Sequence, residues 1–369
     1  MCQKYFSNRK ERYFAMACLK KELRTKDKKQ IEYIYKKIKE YALLLGQEIG
    51  ECDGTSKESR IEWIEKAYSN GRILNAVISD ITIKEFCNIE KAVKFDGCSL
   101  YNYNNYWKEM GLLYTRYDDE SDELSVCFVE DVISFVKCAG EDYLEKLGLK
   151  AAVNSVISSM VNLYGIIDFK MAYIIFSDLT LLGSKISYGN FLDIALRFAD
   201  FREEYDICIL SDRFVSGDYV EKIVSRGIKR IVPKPAYYEL ICKQGNKPYY
   251  TAFSIEKLLC YESPGSFEID SFIDDLMCFL SETFNQTDKV IFEVADEVCR
   301  ACINDWGIND IFYLLENKGF YSKSQKIQKT LVKHIMQIKN NIRLRENRGY
   351  SINELRGISY DNTKYCDNL

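Results

Sequence analysis

The stretch A-A-V-N-S-V-I-S-S-M-V-N-L-Y-G-I-I-D-F-K-M-A-Y-I-I-F-S-D-L-T-L-L, residues 151–182, predicts two helices separated by one tight break. Apolar side chains recur at helical spacing before Gly165, and a second apolar stripe follows Asp168. Gly165 is placed to end the first helix, because glycine is the usual residue just past a helix end. Asp168 can cap the second helix through its carboxylate.

The residues that follow extend this unit. A third helix is expected over 187–199, strands over 206–210 and 227–232, and a short helix over 218–226. Three helices followed by two strands is the order of a winged helix-turn-helix. A plain helical subdomain with incidental strands explains the same pattern equally well.

The same order recurs earlier in the chain. A helix over 103–110 precedes L-L-Y-T-R-Y and L-S-V-C-F-V, two alternating strands joined by the acidic turn 118–123, which predicts a hairpin. A DNA-reading winged helix needs Lys and Arg on its recognition helix and wing. Both candidate modules carry carboxylates there, so we expect them to serve packing or protein binding.

We therefore predict an α+β, predominantly helical, multi-domain protein with one or two winged-helix-like modules and a C-terminal helical domain. Gly- and Pro-containing breaks near 46–56 and 263–265 mark two of the boundaries. The expected organisation is a basic helical arm at 1–50, a winged-helix-like module at 51–147, a second winged-helix-like α/β module at 148–263, a C-terminal helical domain at 264–357 and a tail at 358–369.

Four capping-box patterns mark further helix starts. In such a box, a Ser or Thr side chain and a Glu or Gln three residues later each satisfy a free backbone N–H of the first helical turn. The patterns are Thr55-x-x-Glu58, Thr82-x-x-Glu85, Ser322-x-x-Gln325 and Ser351-x-x-Glu354.

Charge is distributed unevenly along the chain. The net charge is −4, yet residues 1–39 carry +9 and residues 318–348 carry +8, which leaves −21 for the remainder. Such segregation indicates either a nucleic-acid contact through the Lys- and Arg-rich ends, or pairing of the ends with the acidic middle inside the molecule. We favour the internal pairing.

The remaining composition argues for a cytoplasmic protein. No apolar run is long enough for a transmembrane helix, and the first ten residues have no apolar core, so neither a membrane contact nor a signal peptide is expected. The 14 cysteines follow no disulfide framework. Cys299-x-x-Cys302 has no second pair of ligands, so we expect two buried thiols, and no metal or cofactor.

The most distinctive polar stretch is 340–355. As a ligand site it would offer Asn340, Asn341, Arg343 and Asn347, with Lys329 and Lys333 on a preceding helix at 322–342. A structural interpretation explains more of it, because asparagine accepts hydrogen bonds locally at helix ends and Gly349 supplies a turn. We expect these six residues to be candidate ligand contacts and no residue to be catalytic.

Two segments resemble a group of bacterial proteins of unknown function. They are N-L-Y-G-I-I-D-F-K-M-A-Y at 162–173 and N-N-I-R-L-R-E-N-R-G-Y-S-I-N-E-L at 340–355. The resemblance implies a mostly helical protein and no particular activity. Some members continue into a zinc motif like that at the C-terminus of the SecA translocase. After Leu355 this chain has Cys366 and no other Cys or His, so zinc binding is not implied.

Three functions remain open from the sequence. The first is a non-catalytic binding or adaptor protein with a protein partner. The second is a nucleic-acid-associated regulator that uses the basic N-terminal arm and the 322–342 helix. The third is an enzyme whose site is assembled only in three dimensions.

Overall fold

The computed structural model divides the chain into two compact units, Met1–Asn154 and Ser155–Leu369. Most of the described residues are helical and the strands are short, so the predominantly helical α+β class is confirmed. No helix among them is both long and apolar enough to cross a membrane. The described residues are 18–95, 100, 105–118, 123–180, 185–201, 207–210, 212–216, 235–252, 254–262 and 270–357.

The first unit combines helices with one hairpin. Its strands β1 (Leu113–Asp118) and β2 (Glu123–Phe128) pair antiparallel with Leu113 opposite Phe128, which confirms the expected hairpin. Its helices are α1 (Leu19–Thr25), α2 (Lys28–Leu44), α3 (Lys57–Ser69), α4 (Gly71–Ser79), α5 (Ile83–Lys94), α6 (Asn105–Glu109), α7 (Glu130–Ala139) and α8 (Glu141–Tyr164), which continues into the second unit.

Helix α2 belongs to the interior of the first unit. The apolar stripe that includes Ile31, Ile34 and Ile38 is buried, and α2 packs against α3 and α4. A capping box formed by Asp27 and Gln30 starts the helix. The described part of the expected basic arm therefore covers its own apolar surface by packing against this unit.

Two of the four expected capping boxes are confirmed. The Thr82 N–H donates to Glu85 at 2.8 Å, and α5 begins at the next residue after Thr82. The Ser351 N–H donates to Glu354 at 2.8 Å, while the Glu354 N–H donates to Ser351 Oγ at 3.2 Å.

The other two boxes are wrong in register. Ser56, not Thr55, caps α3, because its Oγ accepts the Ser59 N–H at 3.0 Å. Ser324 occupies the N-cap position of the helix expected from Ser322. In both places the chain offers several neighbouring hydroxyl side chains, and spacing alone does not distinguish them.

The second unit contains a small antiparallel sheet. Strands β3 (Ile166–Asp168), β4 (Ile207–Leu210) and β5 (Arg213–Ser216) lie in the order β3-β5-β4. Strand β5 is four residues long and was not predicted, although Phe214 at its centre is fully buried. The expected helix at 218–226 and strand at 227–232 lie outside the described residues.

Within residues 151–182, the end of one helix and the start of the next lie where the sequence predicts them. Gly165 follows α8 with a positive φ of 75°, and the Asp168 carboxylate accepts the Met171 N–H at 2.9 Å to start the next helix. The following helices are α9 (Phe169–Leu179), α10 (Tyr188–Phe201), α11 (Pro235–Gln244) and α12 (Ile255–Leu259).

The C-terminal helices share one hydrophobic core. Leu280, Val298, Leu315 and Ile335 from four different helices are buried in it. These helices are α13 (Asp270–Thr283), α14 (Asp288–Ile303), α15 (Ile308–Asn317) and α16 (Gln325–Asn341), followed by a 3₁₀ turn at Arg345–Asn347.

Candidate functional site

Residues 342–355, which we call the junction segment, lie against the end of α8. Arg345 is 4% exposed, and its guanidinium donates to the Asn162 carbonyl at 3.2 Å and to the Asn304 side-chain oxygen at 3.0 Å. The buried Gln244 amide donates to the Tyr164 carbonyl at 2.7 Å and to the Arg345 carbonyl at 2.9 Å. The Asn162 and Tyr164 carbonyls in the last turn of α8 thereby gain donors, whereas the Arg345 carbonyl also accepts the Arg348 N–H at 3.1 Å.

Two further arginines tie the junction segment to the residues after α11. Arg348 donates to the carbonyls of Lys247 and Gly245, both at 2.6 Å. Arg343 stacks on the Tyr250 ring, with its guanidinium carbon 3.5 Å from the ring centroid, and donates to Glu354 at 2.8 Å. The planar guanidinium suits both stacking and forked hydrogen bonding.

Two glycines permit this close approach. A Cβ at Gly165 would lie 2.9 Å from the Arg345 side chain, and a Cβ at Gly349 would lie 3.0 Å from the Tyr164 ring. The two segments that carry the family resemblance, 162–173 and 340–355, therefore contact each other directly. Their polar residues hold the fold of the second unit together.

Three of the six candidate ligand residues are engaged internally. Asn341 donates to the Gln337 carbonyl at 2.8 Å, and Asn347, 6% exposed, accepts from the Lys247 ammonium at 2.9 Å. Arg343 is engaged by Glu354, Tyr261 and Gly349. These contacts support a structural role for the junction segment, but not through the expected local acceptance, because Asn341 donates to its helix and Asn347 accepts from the distant Lys247.

An ionic cluster that the sequence did not suggest connects α16, α14 and α11. The Lys339 ammonium lies 2.7 Å from one Asp305 oxygen, and Lys243 lies 3.4 Å from the other. Glu346 lies 3.6 Å from Lys243. Burial opposes ionisation of Asp305, but the hydrogen bond from Lys339 and the nearby positive charges hold the pKa of Asp305 below its ordinary value.

The pKa of Glu346 is shifted in the direction opposite to that of Asp305. Burial first, and then its hydrogen bond and charge repulsion with Asp305, raise the pKa of the Glu346 carboxyl. Two neighbouring carboxyl groups whose pKa values are pushed apart are also found at acid–base sites. Here each carboxyl group already has a lysine partner from the same unit, so the cluster is first of all a structural connection.

Backbone strain is found at Asp305 of the ionic cluster and at Arg348 of the junction segment. Among the described non-glycine residues, Asp305 and Arg348 alone have a positive φ, of 54° and 49°. A side chain in this left-handed region costs about 1–2 kcal/mol. Both residues use their side chains in the contacts described above, and those contacts offset the strain.

The other candidate residues lie on the side of α16 that points away from the core. Leu331, Ile335 and Ile338 face the core, whereas Lys329 and Lys333 are exposed. We call this surface the outer face of α16. Its members are Lys326, Lys329, Lys333, Met336 and Asn340.

The lysines of the outer face have no carboxylate partner among the described residues. Neither Lys326, Lys329 nor Lys333 takes part in an ion pair there, and the sequence has no Asp or Glu between Glu316 and Glu346. Asn340, half-buried, likewise makes no side-chain hydrogen bond with the described residues. The outer face is therefore a positively charged surface with unused donors.

The basic N-terminal segment differs from it. Lys20 pairs with Glu65 at 2.8 Å, and Arg24 pairs with Glu58 at 2.8 Å, so two charges of α1 are matched by α3. Lys37 pairs with Glu40 of its own helix at 3.2 Å. The expected internal pairing of basic and acidic segments thus holds for these residues.

An acidic helix borders the outer face. On α13, Asp274 and Asp275 are exposed, and the Phe279 ring packs against the His334 ring of α16 with 5.1 Å between centroids. Burial lowers the pKa of His334, Asp275 opposes that shift, and Lys333 adds to it. Asp275 of α13 and Lys333 of α16 itself therefore lie near His334.

The Cys299-x-x-Cys302 pair lies inside the C-terminal core. Both thiols are fully buried, and burial raises the pKa of Cys302 to about 12 and that of Cys299 further. They are protonated, small apolar side chains at neutral pH. In the described part of the chain, no three His, Cys, Asp or Glu side chains are grouped to hold a metal ion.

Comparisons with protein-family models, with curated proteins and with solved structures give no match for this chain. The family resemblance noted from the sequence stays a prediction.

Proposed function

We propose that this chain is a non-catalytic binding or adaptor protein of the cytoplasm that holds a protein partner through the outer face of α16. The observation that carries the proposal is the exposed row Lys326, Lys329 and Lys333 without carboxylate partners in the described structure. Lysine side chains combine apolar stems with a mobile charge, which suits them to a polar interface. Within this proposal, the regions 51–147 and 148–263 are winged-helix-like modules for packing or protein binding.

The acidic neighbourhood favours a protein over a nucleic acid. A phosphate backbone that follows a row of lysines extends beyond one helix and carries one charge per nucleotide. Next to the outer face it would meet Asp275 of α13, whose charge acts on His334. A protein partner can present carboxylates to the lysines and neutral or basic groups to α13.

Nucleic-acid binding is the second candidate, and the same lysines support it. Unpaired, exposed lysines release counterions when they meet phosphates, so binding would weaken steeply with salt. The described basic residues of the N-terminal segment support it less, because several are matched by Glu58, Glu65 and Glu40.

Fluorescence anisotropy with three labelled probes separates the two candidates. The probes are a poly-glutamate peptide, a DNA duplex and a single-stranded RNA, each titrated at several salt concentrations. We compare the wild type with K326E/K329E/K333E. The matched control is K21E/K28E/K29E, which reverses three exposed lysines of the first unit that also lack ion-pair partners among the described residues.

We expect the peptide to bind, and its affinity to fall at least about tenfold, or 1.4 kcal/mol, in the outer-face variant alone. A stronger, salt-sensitive affinity for DNA or RNA that the outer-face variant loses would support the second candidate instead. Equal losses in both variants, or no binding of any probe, would rule out the outer face as a binding surface.

A further inference from the structure

The spacing of the outer face matches the packing seam of a helix. Lys326, Lys329, Lys333, Met336 and Asn340 follow one another at intervals of three and four residues. This is the alternation of the a and d positions of a coiled coil, which keeps side chains aligned along a neighbouring helix. The opposite seam of α16, with Leu331, Ile335 and Ile338, is filled by the core.

We infer that the partner of this face is an acidic amphipathic helix that lies along α16. This inference rests on the proposed function and specifies the partner of the same surface. The partner helix carries carboxylates at the positions opposite Lys326, Lys329 and Lys333. At one end it carries an apolar side chain opposite Met336, which is 39% exposed.

A helical partner fits the row better than an extended chain. The rise of about 1.5 Å per residue places Lys326 and Lys333 about 10 Å apart along α16. A second helix with carboxylates at the same spacing keeps each charge opposite its partner. A strand repeats one face about every 6.7 Å, so its carboxylates would fall out of step with the lysines.

Charge also sets the position of the partner. The lysines occupy the first half of the outer face, whereas Met336 and Asn340 occupy the second half. Asp275 lies beside the face near His334. A neutral or basic residue is therefore expected on the side of the partner helix that faces α13, which excludes a uniformly acidic peptide as the best ligand.

The test compares two helical peptides of identical composition, each of three heptads. In the matched peptide, glutamates occupy the a and d positions opposite the lysines and a leucine lies opposite Met336. In the scrambled peptide, the same residues are spread around the helix. Affinities are measured by calorimetry for the wild-type protein, for K326E/K329E/K333E and for M336E, with circular dichroism to show that each variant is folded.

We expect the matched peptide to bind at least about tenfold more tightly than the scrambled one. That preference should disappear in K326E/K329E/K333E and fall in M336E. If both peptides bind with equal affinity and K326E/K329E/K333E loses that binding, the inference of an aligned helical partner is wrong, while the proposed function still holds.

If neither peptide binds, both the inference and the proposed function fail. A third result would overturn the inference by another route. If light scattering shows that the wild type associates with itself and that the lysine variant does not, the face is covered by a second copy of this chain.

Discussion

The outer face of α16 and the junction segment are neighbours in sequence, and both are rich in basic residues, yet they use those residues in opposite ways. Arg343, Arg345 and Arg348 turn inward and donate to carbonyl and carboxylate oxygens. The lysines of the outer face reach solvent. Because arginine presents a rigid fork and lysine a hydrated point charge, side-chain type and position along the helix decide which basic residues hold the fold and which remain available to a ligand.

Replacement of Arg345 should have the largest effect on stability. In Arg345→Ala, the half-buried Asn162 carbonyl and Asn304 side chain lose their donor inside the protein, and an unsatisfied buried group costs about 1–3 kcal/mol. We expect a loss of about 2–5 kcal/mol in the free energy of unfolding, measured with urea. Lys329→Ala is the control and should change it by less than about 0.5 kcal/mol. Equal losses of stability in Arg345→Ala and Lys329→Ala would contradict the distinction between the junction segment and the outer face.

A methyl group at the glycine contact should have the next largest effect. Gly349 has a φ of 85°, and an added Cβ would lie 3.0 Å from the Tyr164 ring. Gly349→Ala should lower stability by about 1–3 kcal/mol. Gly189, inside α10, has no atom within 4 Å of its added Cβ, so Gly189→Ala should raise stability or leave it unchanged. If thermal unfolding shows Gly349→Ala to be more stable than Gly189→Ala, the contact between Gly349 and the Tyr164 ring is not tight.

Because of the ionic cluster, the contribution of Asp305 to the free energy of unfolding should depend on pH. Its pKa is lowered in the folded protein, so its contribution to stability is present above the pKa of the unfolded chain and is lost as pH falls through the folded pKa. The difference in unfolding free energy between the wild type and Asp305→Asn should therefore be larger at about pH 7 than at about pH 3.

The paired variant Glu346→Gln should show the opposite slope. The pKa of Glu346 is raised by folding, so its contribution is present below the unfolded pKa and is lost as pH rises through the folded value. The advantage of the wild type over Glu346→Gln should shrink as pH rises from about 4 to about 7. Parallel slopes for the two variants, measured by urea unfolding across this range, would contradict the opposite pKa shifts of the two carboxyl groups.

The smallest stability effect is expected from the outer face itself. K326E/K329E/K333E removes no internal partner within the described structure, so it should change the unfolding free energy by no more than about 1 kcal/mol. It should still weaken binding of the acidic peptide at least about tenfold. A large loss of stability would mean that these lysines belong to the fold, as the junction arginines do.

Much of the fold could be predicted from local patterns. Gly165, Asp168 and the Thr82 and Ser351 capping boxes act over four residues or fewer, and the structure confirms them. Strand β4, I-C-I-L, is equally short but forms a continuous apolar run that predicts a strand, whereas β5, R-F-V-S, has only the pair Phe214 and Val215 between polar residues and was not predicted.

The candidate site was only partly predictable, because most of its contacts join residues that are distant in sequence. The sequence marked the polar stretch 340–355, but it did not show that Asn162, Gln244 and Asn304 supply its hydrogen-bond partners from distant positions. Asp305 had one local signal, its place just after a helix end in N-D-W-G. Lys329 and Lys333 were marked by helical periodicity, and their lack of carboxylate partners became visible only in the structure.

The most direct test of the outer face observes Met336 while the acidic peptide binds. With ¹³C-labelled methionine methyl groups, Met336 reports on the exposed surface of α16, whereas Met110 and Met160 are fully buried elsewhere. We predict that the matched peptide shifts the Met336 resonance in the wild type, leaves those of Met110 and Met160 unmoved, and shifts nothing in K326E/K329E/K333E. A bound peptide that leaves Met336 unmoved would contradict the assignment of the outer face as the binding surface.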